Sequence, residues 1–260
     1  MIRLVSGVVL AAAALAAMLF LPFIGLRVLA CVVAGVAADE YLGLTGTPRR
    51  VSRWIVVVAV VYTCWWAAVP APLSLVVLAI IAIVWLAFEV LRQGRTVEQA
   101  AVNLIAPVYI GAPLGMLVAL HQLSGWKGTL VLIGTIVVSD SAQYYTGRAF
   151  GRHPLAPAIS PKKTVEGAVG GIVFGTVFMV AALGFVFPAT PIVVRVLIGM
   201  IVVFLGIFGD LFESRLKRLA HMKDSSSLIP GHGGALDRID ALLFAIPVFY
   251  FFILRGVGRP

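Results

Sequence analysis

The sequence predicts an all-α, polytopic integral membrane protein with about nine transmembrane helices, its N-terminus cytoplasmic and its C-terminus outside. Three observations lead there. The 260 residues are 61% hydrophobic and 12% charged, with a mean hydropathy of +1.07, more apolar surface than a water-soluble globule can carry. Apolar runs close to the roughly 20 residues that cross about 30 Å of hydrocarbon recur along the whole chain and leave no stretch for a soluble domain. The connections between these runs alternate between basic and nearly uncharged.

Taken in order, the first span is residues 4–20. Met1-Ile2-Arg3 followed by Leu4 to Phe20 has the outline of a signal peptide. The next apolar run follows without an intervening loop and the length suits a full span, so a cleavable leader is disfavoured. Further spans are expected at residues 23–44, 54–69, 73–91, 100–120, 129–147, 165–187, 192–214 and 239–254, each bounded by charge or by Pro/Gly turns. The even-numbered spans are followed by connections that carry Arg49, Arg50, Arg53, Arg92, Arg95, Arg148, Arg152, Lys162, Lys163, Arg215, Lys217, Arg218, Lys223 and Arg238. The other connections hold little beyond Lys127. The positive-inside rule places the basic set in the cytoplasm, and the two spans before the first basic loop put the N-terminus there as well. Arg255 and Arg259 in the tail run mildly against this orientation.

That topology accounts for most of the net charge of +9, so the basic excess does not point to a nucleic-acid partner. What remains suits acidic substrates or lipid headgroups. Cys31 and Cys64 lie inside apolar runs without CxxC or Cys/His spacing and read as packing residues. Gly167, Gly171 and Gly175 repeat every four residues, the spacing that lets two helices approach closely.

Polar residues interrupt the apolar pattern in three places, and in a membrane protein those are where chemistry is expected. First, Asp210 ends the run Ile201 to Gly209, and Asp210, Glu213, Ser214 and Lys217 share one helix face. One-turn pairing at a helix end entering water is the plain alternative for that stripe. Second, Lys223-Asp224-Ser225 leads through Ile229-Pro230-Gly231-His232-Gly233-Gly234 to Asp237, Arg238 and Asp240. A helix starting near Ala235 would offer free N–H groups and a positive dipole end to a phosphate. Asp237 and Asp240, one turn apart, can converge on a hard cation such as Mg²⁺, with helix capping as the competing account. Third, Ser139-Asp140-Ser141 closes the sixth span, and Ser160-Pro161-Lys162-Lys163-Thr164 reads as a helix start with Ser160 as N-cap and Pro161 at the first turn.

Ser214-Arg215-Leu216-Lys217-Arg218, then Lys223-Asp224, then Leu228 through Asp240 resemble the signature of the phosphatidate cytidylyltransferases, or CDP-diacylglycerol synthases. Asp140-Ser141, Gly151 and Ser160-Pro161 with Lys163-Thr164 resemble that family's upstream motif; Ala235 stands where the family usually has a larger aliphatic residue. The resemblance implies Mg²⁺-dependent attack of phosphatidic acid on CTP, with a second cation left open. It implies Asp210 and Asp237 as principal metal ligands, Asp140 as a further one, and Asp210, Asp237, Lys223 and Asp240 as catalytic. Substrate contacts would come from Lys163, Ser160, Thr164, Ser214, Lys217, Arg218, Asp224, His232, Gly233, Gly234 and Arg238.

On this reading residues 131–260 form the catalytic region and residues 1–130 a lipid-facing scaffold, within one membrane domain. The expected location is the inner membrane, with the site on its cytoplasmic side where CTP and a membrane lipid meet. A homodimer through glycine faces is left open. The rivals are a cytidylyltransferase for another lipid phosphate, an ion-coupled transporter of an anionic solute, and a non-catalytic lipid-binding protein. No Walker A, GxGxxG or HExxH pattern places a different nucleotide or metal chemistry on the chain.

Overall fold

A computed structural model describes residues 2–47, 51–69, 97–229, 231 and 233–255. They are mostly helical: α1 (Ile2–Phe20), α2 (Phe23–Leu44), α3 (Val51–Ala67), α4 (Val97–Ala106), a π-helical turn (Pro107–Gly111), α5 (Ala112–Phe150), α6 (Val165–Val186), α7 (Ile192–Leu219) and α8 (Leu236–Leu254). Among the described residues, Ala101–Phe150, Val165–Val186 and Ile192–Leu219 are long and apolar enough to cross a membrane. The span expected at 73–91 lies outside the described residues, as do Arg49, Arg50, Arg92 and Arg95.

Two expectations need correction. Residues 121–128 were expected to form a loop between spans; helix runs through them, broken only at Gly125 with φ 65° and ψ −172°. A glycine carries that backbone at little cost, and the Thr129 hydroxyl donates to the Gly125 carbonyl at 3.2 Å to restart the helix. Ser160-Pro161 does not open a helix. Ser160–Thr164 is a strand, β2, paired antiparallel with β1 (Pro154–Ala156), so the chain is not purely α. The cap is Thr164, whose side chain accepts from the Gly167 N–H at 3.1 Å, and α6 begins at Val165. The strand wins because its neighbours are satisfied by the hairpin: Val165 N–H donates to His153 O at 2.8 Å, and Glu166 accepts from the N–H groups of Arg152 and His153.

The chain divides into two compact units, Met1–Gln122 with Leu219–Ile239, and Leu123–Arg218 with Asp240–Pro260. In the first, close helix approach depends on glycine: a Cβ on Gly111 would lie 2.5 Å from Val60 O, and one on Gly115 2.6 Å from the Ala67 Cβ. Arg27 stacks on the Trp65 ring at 3.8 Å and donates to its carbonyl, closing the last turn of α3. In the second unit the glycine stripe packs as its spacing predicts. A Cβ on Gly167 would meet Gln143 O at 2.8 Å, one on Gly171 the Ser139 Oγ at 3.1 Å, and one on Gly175 the Val203 side chain at 2.6 Å.

Candidate active site

The second unit gathers its carboxylates where α7 and α8 touch. A Cβ on Gly209 would lie only 2.5 Å from Asp240 O, so the two backbones meet immediately before Asp210. The Lys163 ammonium, carried by β2, contacts Asp210 Oδ2, and the Ser214 hydroxyl donates to Asp210 Oδ1 at 3.3 Å. On α5, Gln143 donates to Asp140 Oδ1 at 3.0 Å. Asp140 and Asp240 both feel the negative charge of Asp210, and Asp240 also that of Asp140, with Lys163 acting on Asp140 and Lys217 on Asp240 as opposing charges. Four elements thus bring together the sequence-predicted Asp140, Lys163, Asp210, Ser214, Lys217 and Asp240.

Glu213 is fully buried and paired with Lys217 one turn on, while Asp210 and Ser214 on the same face of α7 are half-buried. Arg218 is exposed and donates from Nε to Ile159 O at 3.1 Å, which ties the turn of the hairpin to α7. Ser160 and Thr164 are half-buried, the first within β2 and the second engaged as the α6 cap.

The donor set suits a hard cation. Asp140, Asp210 and Asp240 supply carboxylate oxygens of the kind such an ion takes, with the Lys163 ammonium against Asp210. Among the described residues, no three His, Cys, Asp or Glu side chains stand close enough to hold an ion unaided.

The first unit holds a second polar cluster, in the loop before α8. Asp237 Oδ2 accepts from Ser225 N–H at 2.9 Å, from Ser225 Oγ at 2.8 Å and from Gly234 N–H at 2.8 Å. Gly231 and Gly233 take positive φ, 76° and 77°, and Ile229 N–H bonds Gly233 O at 2.8 Å across that turn. Glycine-rich geometry was expected to leave the α8 N-terminus for a phosphate. Instead the N–H groups of Ala235 and Leu236 donate to Glu40 of α2, at 3.0 and 2.8 Å.

Glu40 is 7% exposed and was not among the residues singled out from sequence. A signal was present, since an ionisable side chain inside an apolar span is expensive unless it has partners. A cavity of about 650 Å³ beside this loop is walled by residues that include Asp39, Glu40, Arg53, Lys223, Asp224 and Ser225. Lys223, Asp224 and Arg238 are exposed, Gly234 is buried, and His232 lies outside the described residues.

The profile of the cytidylyltransferase family matches residues 1–255. The chain is similar to the phosphatidate cytidylyltransferase of Aquifex aeolicus, 43% identical over 127 residues that make up 49% of this chain and 47% of the relative. It resembles those of Bacillus subtilis, 36% identical over 62% of this chain and 61% of the relative, and of Thermotoga maritima, 38% identical over 60% of each. The alignments thus span about half to three-fifths of the curated relatives' length. With the family match covering all but the last residues, this chain belongs to the cytidylyltransferase family.

Proposed function

We propose that the protein is a phosphatidate cytidylyltransferase, converting CTP and phosphatidic acid to CDP-diacylglycerol and pyrophosphate. A phosphate oxygen of phosphatidic acid forms a bond to the α-phosphorus of CTP as the bond from that phosphorus to the oxygen bridging towards the β-phosphate breaks. Both reactants are anions, so alignment and charge neutralisation dominate the barrier. The observation that carries the proposal is the gathering of Asp140, Asp210 and Asp240 around the Lys163 and Lys217 charges. Relatives named phosphatidate cytidylyltransferase support the substrate pair.

Asp210, with Asp140 or Asp240, and Asp237 by resemblance to the family are the proposed Mg²⁺ ligands, and the ion would polarise the α-phosphoryl oxygens and offset the charge building on pyrophosphate. Lys163 holds the Asp210 carboxylate in place and supplies a cation for a phosphate oxygen. Ser214 steadies the other oxygen of the same carboxylate. Lys217 keeps the buried Glu213 charge paired. Lys223, Arg218 and Arg238 stand as proposed phosphate contacts on their charge alone.

About nine spans, a cytoplasmic N-terminus and a C-terminus outside complete the proposal, supported by the alternation of basic connections. CTP labelled at the α- or the γ-phosphorus tests the activity on purified protein. The proposal expects α-label in the lipid fraction and γ-label in pyrophosphate; CTP left intact while an anion crosses sealed vesicles would replace the enzyme with a transporter. For topology, a membrane-impermeant thiol reagent should reach a Ser227→Cys variant from the cytoplasmic side, and labelling only from outside would overturn the orientation.

A further inference from the structure

The loop that precedes α8 closes on two carboxylates, and only one of them belongs to the signature. Glu40 reaches it from α2 and uses both oxygens: Oε1 accepts from Ser226 Oγ at 2.7 Å and Ala235 N–H at 3.0 Å, and Oε2 accepts from Leu236 N–H at 2.8 Å and lies 3.1 Å from Ser225 Oγ, whose proton Asp237 shares. An anion at the first N–H groups of a helix is stabilised by those groups and by the dipole, and burial strengthens both effects. Ser225 stands between the two acids, its Oγ 3.1 Å from Glu40 and 2.8 Å from Asp237, while its N–H serves Asp237 alone. Gly234 records the same arrangement sterically, since a Cβ there would lie 2.5 Å from each Glu40 oxygen. The glycine is needed because Ser225 Oγ, the atom nearest that position, and the Glu40 carboxylate together fill the space.

We propose that Glu40 is the positioning residue of the signature loop: its buried carboxylate occupies the anion position at the start of α8 and, through Ser225 and the Gly234 to Leu236 backbone, sets where Asp237 is held. This rests on the cytidylyltransferase reading, in which Asp237 is a metal ligand. The N-terminal helices then do more than face lipid, because α2 supplies the acid around which the loop is built. Asp237 satisfies the loop from inside the signature, and Glu40 satisfies the helix N-terminus from outside it.

Full-length protein carrying Ser227→Cys, an exposed position in the loop, is labelled with a thiol reagent in detergent, without metal or nucleotide. Introducing Glu40→Gln, which keeps size and removes charge, should raise the labelling rate about tenfold, the equivalent of one lost charge-assisted hydrogen bond. Ser226→Ala, which removes one partner of Oε1, should raise it less. In Glu40→Gln without the reporter cysteine, the Mg²⁺ concentration for half-maximal CDP-diacylglycerol formation should rise by a similar factor while the KM for phosphatidic acid holds. Unchanged labelling and unchanged Mg²⁺ dependence in a folded Glu40→Gln protein would overturn the assignment. If parent protein forms no CDP-diacylglycerol, the enzymatic reading fails, and the labelling result still decides whether Glu40 holds the loop.

Discussion

The Lys163 ammonium lies directly on Oδ2 of Asp210, joining residues 47 apart in sequence. The contact depends on the hairpin: β2 runs Ser160–Thr164, and Thr164 ends the strand by capping α6, which leaves Lys163 one residue before the cap. Strand and cap together deliver a cation to a carboxylate of α7.

Lys163→Met should therefore lower kcat for CDP-diacylglycerol formation by about 10²-fold, the scale of removing one preorganised charge that stabilises a transition state. Its thermal unfolding should change little, because the pair is partly exposed, with side chains 21% and 30% accessible. A variant that unfolds early, or one with full turnover, contradicts this.

Lys217→Met should behave in the opposite way. It strands Glu213 as a buried charge and should cost about 3–5 kcal/mol of stability, readable by denaturant unfolding in detergent. The double variant Glu213→Gln/Lys217→Met should recover most of that loss. A double variant as unstable as the single one would mean that the pair is not what holds this turn.

Thr164→Ala should weaken the start of α6 by about 1 kcal/mol, and Thr164→Ser should restore it, since a hydroxyl at the cap is what the Gly167 N–H needs. Amide hydrogen exchange at residues 165–168 reads the effect locally; equal protection in wild type and Thr164→Ala would remove the capping role.

Gly115→Val should destabilise the first unit by about 1–3 kcal/mol, because a side chain there meets Ala67 and the α3 backbone with no room to yield. Retained thermal stability would show that α3 can move away from that contact.

The helical fold was legible because burial in hydrocarbon writes itself into sequence as long apolar runs, and α2, α6 and α7 begin within a residue of the expected spans. Asp140, Asp210 and Asp240 stood out in the sequence for the complementary reason, since charge at the end of an apolar run needs an explanation. What escaped depends on contacts between distant residues. Ser160-Pro161 satisfies a local rule for a helix start, yet pairing with Pro154–Ala156 outweighs it. Gly125 looked like part of a loop because loop and single-residue break share glycine. The anion at the α8 N-terminus was expected from a ligand, and Glu40, far away in sequence, supplies it.

The central claim is that Asp210 and its neighbours perform nucleotidyl transfer. The direct measurement is transfer of α-label from CTP into phosphatidic acid by wild-type and Asp210→Asn protein at saturating Mg²⁺, with folding checked by thermal unfolding. The account predicts a loss on the order of 10³-fold in the variant, since the carboxylate that meets Lys163 and is proposed to hold the metal loses its charge. A folded Asp210→Asn protein that labels the lipid at the wild-type rate would contradict it.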